Sequence, residues 1–267
     1  MNILTYQISA PLSRGPYAHL DAWTAVLAQC PFSGQVERAL WSGFHADRLG
    51  YAFVGGYAAA LSRLLEKVER ALPARLSLCA TEAGGAHPRN IATRLDKQGG
   101  AHVLNGEKTF ATLASGADEL LVVASRGLEA DGRNRLRLVR VRPTATGVQI
   151  VPKNTMPFAP EVSHALVRFV DVVVENEDVL PGDGYDDYLK PFRTLEDTHV
   201  LAATVGYLLG AARAHAFDRA IVAELVSLAP EEERTRWQRD LPLLMVAEGA
   251  RAMRTEAAWR ALTPPAR

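Results

Sequence analysis

Few side chains in this sequence have the types and spacing that chemistry needs. Its two cysteines, Cys30 and Cys79, lie far apart and show no CxxC spacing. They read as buried thiols of a reducing compartment rather than as a disulfide framework. Arg135, Arg137 and the more distant Arg140 alternate with Leu and Val, which places them on one strand face. Such a face is solvated more often than it is an anion site. His87 stands in the loop Ala83-Gly84-Gly85-Ala86-His87-Pro88, which has little side-chain bulk. Protonated, it would attract an anion, but a lone loop histidine reads first as a solvated bystander. Thr194 has N-cap character with Asp197 three residues on, and carboxylates there favour a helix N-terminus. No metal site is expected.

The polar and aromatic residues of greatest interest fall in Leu104-Asn105-Gly106-Glu107-Lys108-Thr109-Phe110-Ala111-Thr112. Ala101-His102-Val103 reads as the start of a strand. Asn105-Gly106 predicts a tight turn, because both residues tolerate positive φ. The β-branched and aromatic residues after it predict a second strand. The stretch therefore reads as a hairpin, bounded by Gly99-Gly100 and Ser115-Gly116.

The elements that must position it follow from hydrophobic periodicity. Residues 1–16, with Pro11, Gly15 and Pro16, read as irregular. Asp21–Leu27 predicts a first helix ending near Pro31, and Ser33-Gly34 starts a second. Leu49, Phe53, Tyr57, Leu61, Leu64, Leu65 and Val68 recur at helical spacing, so Ala46–Leu72 predicts a long helix stopped by Pro73. Gly55-Gly56 inside it would weaken the helix unless another packs closely there. Strands are predicted at Arg75–Thr81, Asn90–Asp96, Leu120–Ala124, Arg135–Val141, Thr146–Val151 and Ala165–Val174. Short strands with frequent turns point to an antiparallel barrel or sandwich. Beyond Pro181-Gly182-Asp183-Gly184 the chain reads helical, with small Gly206 and Gly210 allowing close packing. A further helix is predicted from about Pro230 to Leu262.

Composition narrows the function classes. The 267 residues carry 30 basic and 30 acidic side chains, and 48% are hydrophobic. A sizeable core is affordable, and no basic excess marks a nucleic-acid or anionic-membrane surface. The N-terminus lacks a basic region followed by a long apolar run, and no window approaches a membrane span, so a cytoplasmic location is expected.

Taken in order, Thr81-Glu82, Leu104–Thr112, Ala117-Asp118, Phe169-Val170-Asp171-Val172-Val173-Val174 and Val179-Leu180-Pro181-Gly182-Asp183-Gly184 resemble the middle domain of acyl-CoA dehydrogenases. The resemblance covers roughly residues 75–185. It implies an α+β multidomain fold with three parts: N-terminal helices (1–74), a middle antiparallel β-barrel-like domain (75–182) and C-terminal helices (183–267). It also implies FAD as cofactor and an acyl thioester, acyl-CoA or carrier-bound, as substrate. In that family a carboxylate removes the α-proton and the β-hydrogen leaves as hydride to the flavin. Residue by residue, Leu78, Ala80 and Thr81 match the segment that meets the flavin ring. Phe110-Ala111-Thr112 matches the aromatic-x-Thr that stacks near it and offers a hydroxyl.

The chain also departs from the family pattern. Ala83 replaces a proline, and Ala86-His87-Pro88 stands where Gly-Ser-Asp is usual. Glu196 lies near the position of one branch's catalytic glutamate, with Asp197 equally arguable. The other branch's late glutamate, and the Gln-Phe-Gly-Gly and Gly-Thr segments that help hold FAD, find no counterpart before Arg267. The chain thus reads as a shortened member, a homodimer or one subunit of a pair. Two functions follow: a compact flavin-dependent oxidoreductase, or a degenerate relative acting as a binding or scaffold subunit.

Overall fold

The computed structural model describes residues 3–68 and 72–216. The predicted helix near Pro230 lies outside them. The helices are α1 (Ile3–Ser9), α2 (Leu20–Leu27), α3 (Gln35–His45), α4 (Leu49–Leu64) and α5 (Lys190–Ala214). The strands are β1 (Leu76–Cys79), β2 (Arg94–Gln98), β3 (Ala101–Thr112), β4 (Glu119–Leu128), β5 (Asn134–Val141), β6 (Val148–Pro152) and β7 (His164–Val174). Among the described residues they group into two compact units, one built from residues 3–18, 29–60 and 196–216, the other from 19–28, 61–68 and 72–195.

The helical unit is held by glycines at its crossings. A Cβ on Gly43 would fall 1.8 Å from the Ala203 carbonyl oxygen, and one on Gly206 would fall 2.1 Å from that of Leu40. Gly210 faces the Phe44 carbonyl and Gly56 faces His199 in the same way. Gly56 is thus tolerated inside α4 because α5 approaches it there. Residues 1–16 are not wholly irregular, since α1 forms over Ile3–Ser9. Its Gln7 side chain donates to the Leu40 carbonyl at 3.2 Å.

The second unit is organised by one sheet, in the order β1-β4-β2-β3-β7-β6, with β5 on the free side of β4. β1 runs parallel to β4, and Arg94 of β2 pairs in parallel with Ser125, so the sheet is mixed rather than wholly antiparallel. It curls, because the chain just beyond β1 returns to β3 through an isolated bridge between Thr81 and Phe110. Leu95, Leu104, Leu120, Val122, Val139, Val167 and Phe169 fill the core.

Several expectations are corrected. α4 stops at Leu64, short of Pro73. Leu65 still bonds to Leu61, but Glu66 reaches only Arg63 and Val68 only Leu65, so the last turn tightens and unwinds. The strand expected at Asn90 begins at Arg94, after a short 3-10 turn over Pro88–Asn90. Arg140 does not share the face of Arg135 and Arg137. It lies on the opposite parity, buried, with both Glu119 carboxylate oxygens at 2.6 and 2.8 Å. Thr194 caps no helix. The chain enters a π-helical turn at Gly184–Leu189, capped by the Asp183 carboxylate, and runs straight into α5.

The largest correction concerns Asn105-Gly106, which is not a turn. β3 passes through it unbroken, and the β2–β3 turn falls at Gly99-Gly100, where Gln98 pairs with Ala101. Gly99 has φ +60. Gly106, at φ +148, instead lets β3 press against Thr93, whose Cα would lie 2.6 Å from an added Cβ. β7 carries the irregularity here: Leu104 pairs with Val172 but Gly106 with Phe169. Two residues, Val170 and Asp171, therefore face Asn105 alone. Asp171 adopts φ +50, and the Asn105 amide spans the gap, donating to its carboxylate and accepting from its N–H.

Candidate functional site

Four residues downstream β3 bulges in turn. Lys108 pairs with Val167 and Ala111 with Ala165, so Thr109 and Phe110 together face only Leu166. An extra residue in a strand re-aims its neighbours. Here it turns Ala111 into the core, fully buried, and leaves the Phe110 ring 38% exposed. Phe110 is held from the other side by Thr81, whose carbonyl accepts the Thr109 N–H at 2.8 Å. Ser77 of β1 donates to the Thr112 carbonyl at 2.7 Å.

The structure therefore brings Thr81, Phe110 and Thr112 onto one neighbourhood, with Leu78, Ala80 and Ala111 buried beneath it. It adds residues that the sequence did not single out. His164 opens β7 opposite Thr112, and its ring stacks on Phe110 at 4.1 Å and 24°. Its Nδ1 lies 3.4 Å from the Thr112 hydroxyl, and its buried Nε2 has no partner among the described residues. Burial, and then the charge of Lys153, pull His164 below the usual histidine range, so the ring is neutral near pH 7. Lys153 stands 5.6 Å from the Phe110 ring centre. Phe110, Pro152, Lys153, Asn154, Met156 and His164 line an open cavity of about 470 Å³, within the range of small-molecule sites. A histidine heading an apolar strand was the one available signal for His164. The residues from Pro152 to Met156 had none, because only the β6–β7 pairing brings them here.

Beneath this site lies a buried ion pair. Lys108 is fully buried, and its ammonium donates to Glu82 Oε1 and the Val123 carbonyl, both at 2.6 Å, and to the Ala80 carbonyl at 3.5 Å. Burial pushes the Glu82 carboxyl up, but Lys108 and the donors Ala92 and Thr93 outweigh it and hold the carboxyl below its ordinary range. His87, expected to be solvated, is exposed, and its Nδ1 accepts the Arg89 N–H at 3.3 Å.

Glu196 belongs to the helical unit, on the second turn of α5 rather than at a helix start. Burial, and then the neighbouring Asp197, push its carboxyl up to about 7. Asp197 itself is exposed. Among the described residues no group of three His, Cys, Asp or Glu side chains is placed to hold a metal ion, and no helix is long and apolar enough to cross a membrane. Both cysteines are free thiols, with burial pushing Cys79 up to about 11.

No family model and no curated protein matches the chain. Solved structures do. It is similar to an FAD-dependent dehydrogenase at 15% identity, over 97% of this chain and 79% of that one, with a TM-score of 0.63. It is similar to the prolyl acyl carrier protein oxidase AnaB at 17% identity, over 97% and 78%, with a TM-score of 0.62. Butyryl-CoA dehydrogenase from Megasphaera elsdenii matches at 15% identity, over 94% and 71%, with a TM-score of 0.60. At such identities the likeness is one of fold, and in fold the chain is acyl-CoA dehydrogenase-like.

Proposed function

We propose that this protein is an acyl-CoA dehydrogenase-like flavoprotein that introduces a double bond α,β to an acyl thioester. The observation that carries the reading is the half-open Phe110 ring at the cavity, flanked by the Thr112 hydroxyl and the unpartnered His164 nitrogen, in a fold shared with FAD-dependent dehydrogenases. An aromatic face, a hydroxyl, a cation and an orphaned ring nitrogen fit a flat, polar heteroaromatic group such as the flavin of FAD. Thr81, Phe110, Thr112 and His164 would hold it, over the buried Leu78, Ala80 and Ala111. When bound, the flavin accepts the β-hydrogen with its electron pair as hydride, while the α-proton leaves to a carboxylate.

Glu196 is that carboxylate in this reading, and its exposed neighbour Asp197 serves to raise it. A base with a pKa near working pH combines a populated deprotonated form with a strong drive to take the proton. One similar structure is a prolyl acyl carrier protein oxidase and another a butyryl-CoA dehydrogenase. The thioester is accordingly read as CoA-linked or carrier-linked. The three-part division at residues 74 and 182, a homodimer or a partner subunit, and a cytoplasmic location complete the proposal.

The direct test is the visible spectrum of the purified protein. Flavin absorbance that survives gel filtration supports the reading. A colourless protein that takes up no added FAD overturns it in favour of a binding or scaffold subunit. The base is tested by pH. Reduction of bound flavin by butyryl-CoA should fall about tenfold per pH unit below about 7, and Asp197→Asn should move that limb to lower pH. Glu196→Gln should abolish reduction while leaving flavin bound. Glu196 also has a readout that needs no substrate. Its folded pKa is raised from 4.5 to about 7, so its contribution to stability is full below 4.5 and is lost as pH rises through 7. Glu196→Gln should therefore melt above wild type at pH 8 and lose that advantage near pH 4.5.

A further inference from the structure

We propose that the Lys108–Glu82 pair is a positioning clasp, holding Phe110 and Thr81 in the register that the candidate site needs. Phe110 lies in a bulge where β3 has lost its ladder to β7. The strand partner given to it is Thr81, through an isolated bridge. One such bridge is a weak constraint, since short unsupported segments open locally at little cost. The clasp lies on both arms of this bridge. Glu82 follows Thr81 directly, and Lys108 precedes Phe110 by two residues.

The clasp is fully satisfied, which sets it apart from an incidental buried charge. The Lys108 ammonium meets Glu82, Val123 and Ala80. The Glu82 carboxylate also accepts from the Ala92 N–H at 2.8 Å, the Thr93 N–H at 3.0 Å and the Thr93 hydroxyl at 2.7 Å. Two side chains thus join β3 to β4, to the end of β1 and to the segment entering β2. Burying two charges gives little net stability over an apolar pair of similar size. What the pair adds is a fixed distance between Ala80, Glu82 and Lys108, and hence a fixed place for the residues beside them.

The test uses the double variant Glu82→Gln/Lys108→Met, which removes both charges and keeps one amide oxygen that can still accept from the Thr93 N–H and hydroxyl, at the cost of the Ala92 bond. Native-state hydrogen exchange is read at the Thr109 amide, which bonds to Thr81, and at Val122 and Val167 in the core. The expected result is faster exchange at Thr109, by about tenfold or more, with the core amides unchanged. Wild-type protection at Thr109, or an equal loss across the whole sheet, overturns the proposal. Should the double variant fail to fold, Glu82→Asp, which keeps the charge but draws the carboxylate back by one methylene, is read the same way. A second arm rests on the flavin reading. The FAD dissociation constant should rise about tenfold in the double variant, and adding Phe110→Ala should weaken it no further. If wild type binds no FAD, the proposed function falls, and the exchange data still decide the clasp.

Discussion

β3 is irregular against β7 in two places, and the two are mirror images. At Asn105 the extra residue is on β7; at Thr109–Phe110 it is on β3. The first slips the register by one residue and the second restores it. A one-residue slip sends side chains to the opposite face, and burial follows. On β3 the core residues are His102, Leu104 and Lys108 before the second bulge and Ala111 after it. On β7 they are Ala165, Val167 and Phe169, then Val172 and Val174 beyond the first. The two bulges differ in what holds them. The Asn105–Asp171 link is exposed. The clasp under Phe110 is buried. The solvent-held bulge shapes the sheet, whereas the core-held one presents an aromatic ring to a cavity. The buried lysine is spent where position matters most.

Breaking the buried side should have the larger effect. Lys108→Met leaves the Glu82 carboxylate buried without its counter-charge, which costs about 3–5 kcal/mol. Urea denaturation of the single variant should show that loss, and the Glu82→Gln/Lys108→Met double variant should recover most of it. A single variant as stable as wild type would mean that Glu82 is solvated or protonated, and the contrast between the two bulges would collapse.

What the sequence showed of this strand, and what it concealed, follows the same division. Strand existence was legible, because the alternation of apolar residues survives on either side of each bulge. The Asn-Gly dipeptide pointed to a turn because both residues tolerate positive φ, but here only Gly106 takes it, at a close approach to Thr93. Gly99-Gly100 was noted only as a boundary and is the actual turn. Phe110 and Thr112 were legible as a motif, but His164 was not, because its place beside them depends on a β3–β7 register that two bulges set. Arg140 failed for a different reason: grouping it with Arg135 and Arg137 ignores its three-residue spacing from Arg137, which puts it on the opposite parity, and the structure shows that buried charge paired with Glu119. Glu196 was singled out by its position alone, while its raised pKa comes from burial that no local pattern encodes.

Gly106→Ala tests the solvent-side bulge from the backbone. The new methyl would meet Thr93 Cα at 2.6 Å, and φ +148 is a region that alanine avoids. Overpacking and strain together predict a loss of about 2–3 kcal/mol. Because Thr93 also holds the Glu82 carboxylate through its N–H and hydroxyl, part of the strain should reach the clasp, and Thr109 protection should fall, though by less than in the Glu82→Gln/Lys108→Met variant. A Gly106→Ala variant with wild-type protection at Thr109 would show that Thr93 yields without moving Glu82.

Asn105→Ala is the mildest change. It removes two hydrogen bonds to Asp171, at 3.0 and 2.8 Å, both exposed to solvent. Water replaces exposed partners readily, so the loss should be about 1 kcal/mol, smaller than at Gly106 and far smaller than at Lys108. The slip itself should persist, since Val170 and Asp171 remain opposite one β3 residue and Phe169 and Val172 remain fixed in the core. The check is the pattern of cross-strand amide contacts in an NMR spectrum. Pairing of Gly106 with Phe169 should be kept. If the strand instead re-registers, so that Gly106 faces Val170, then the Asn105 side chain rather than the buried apolar residues defines the bulge, and Phe110 would be displaced along with it.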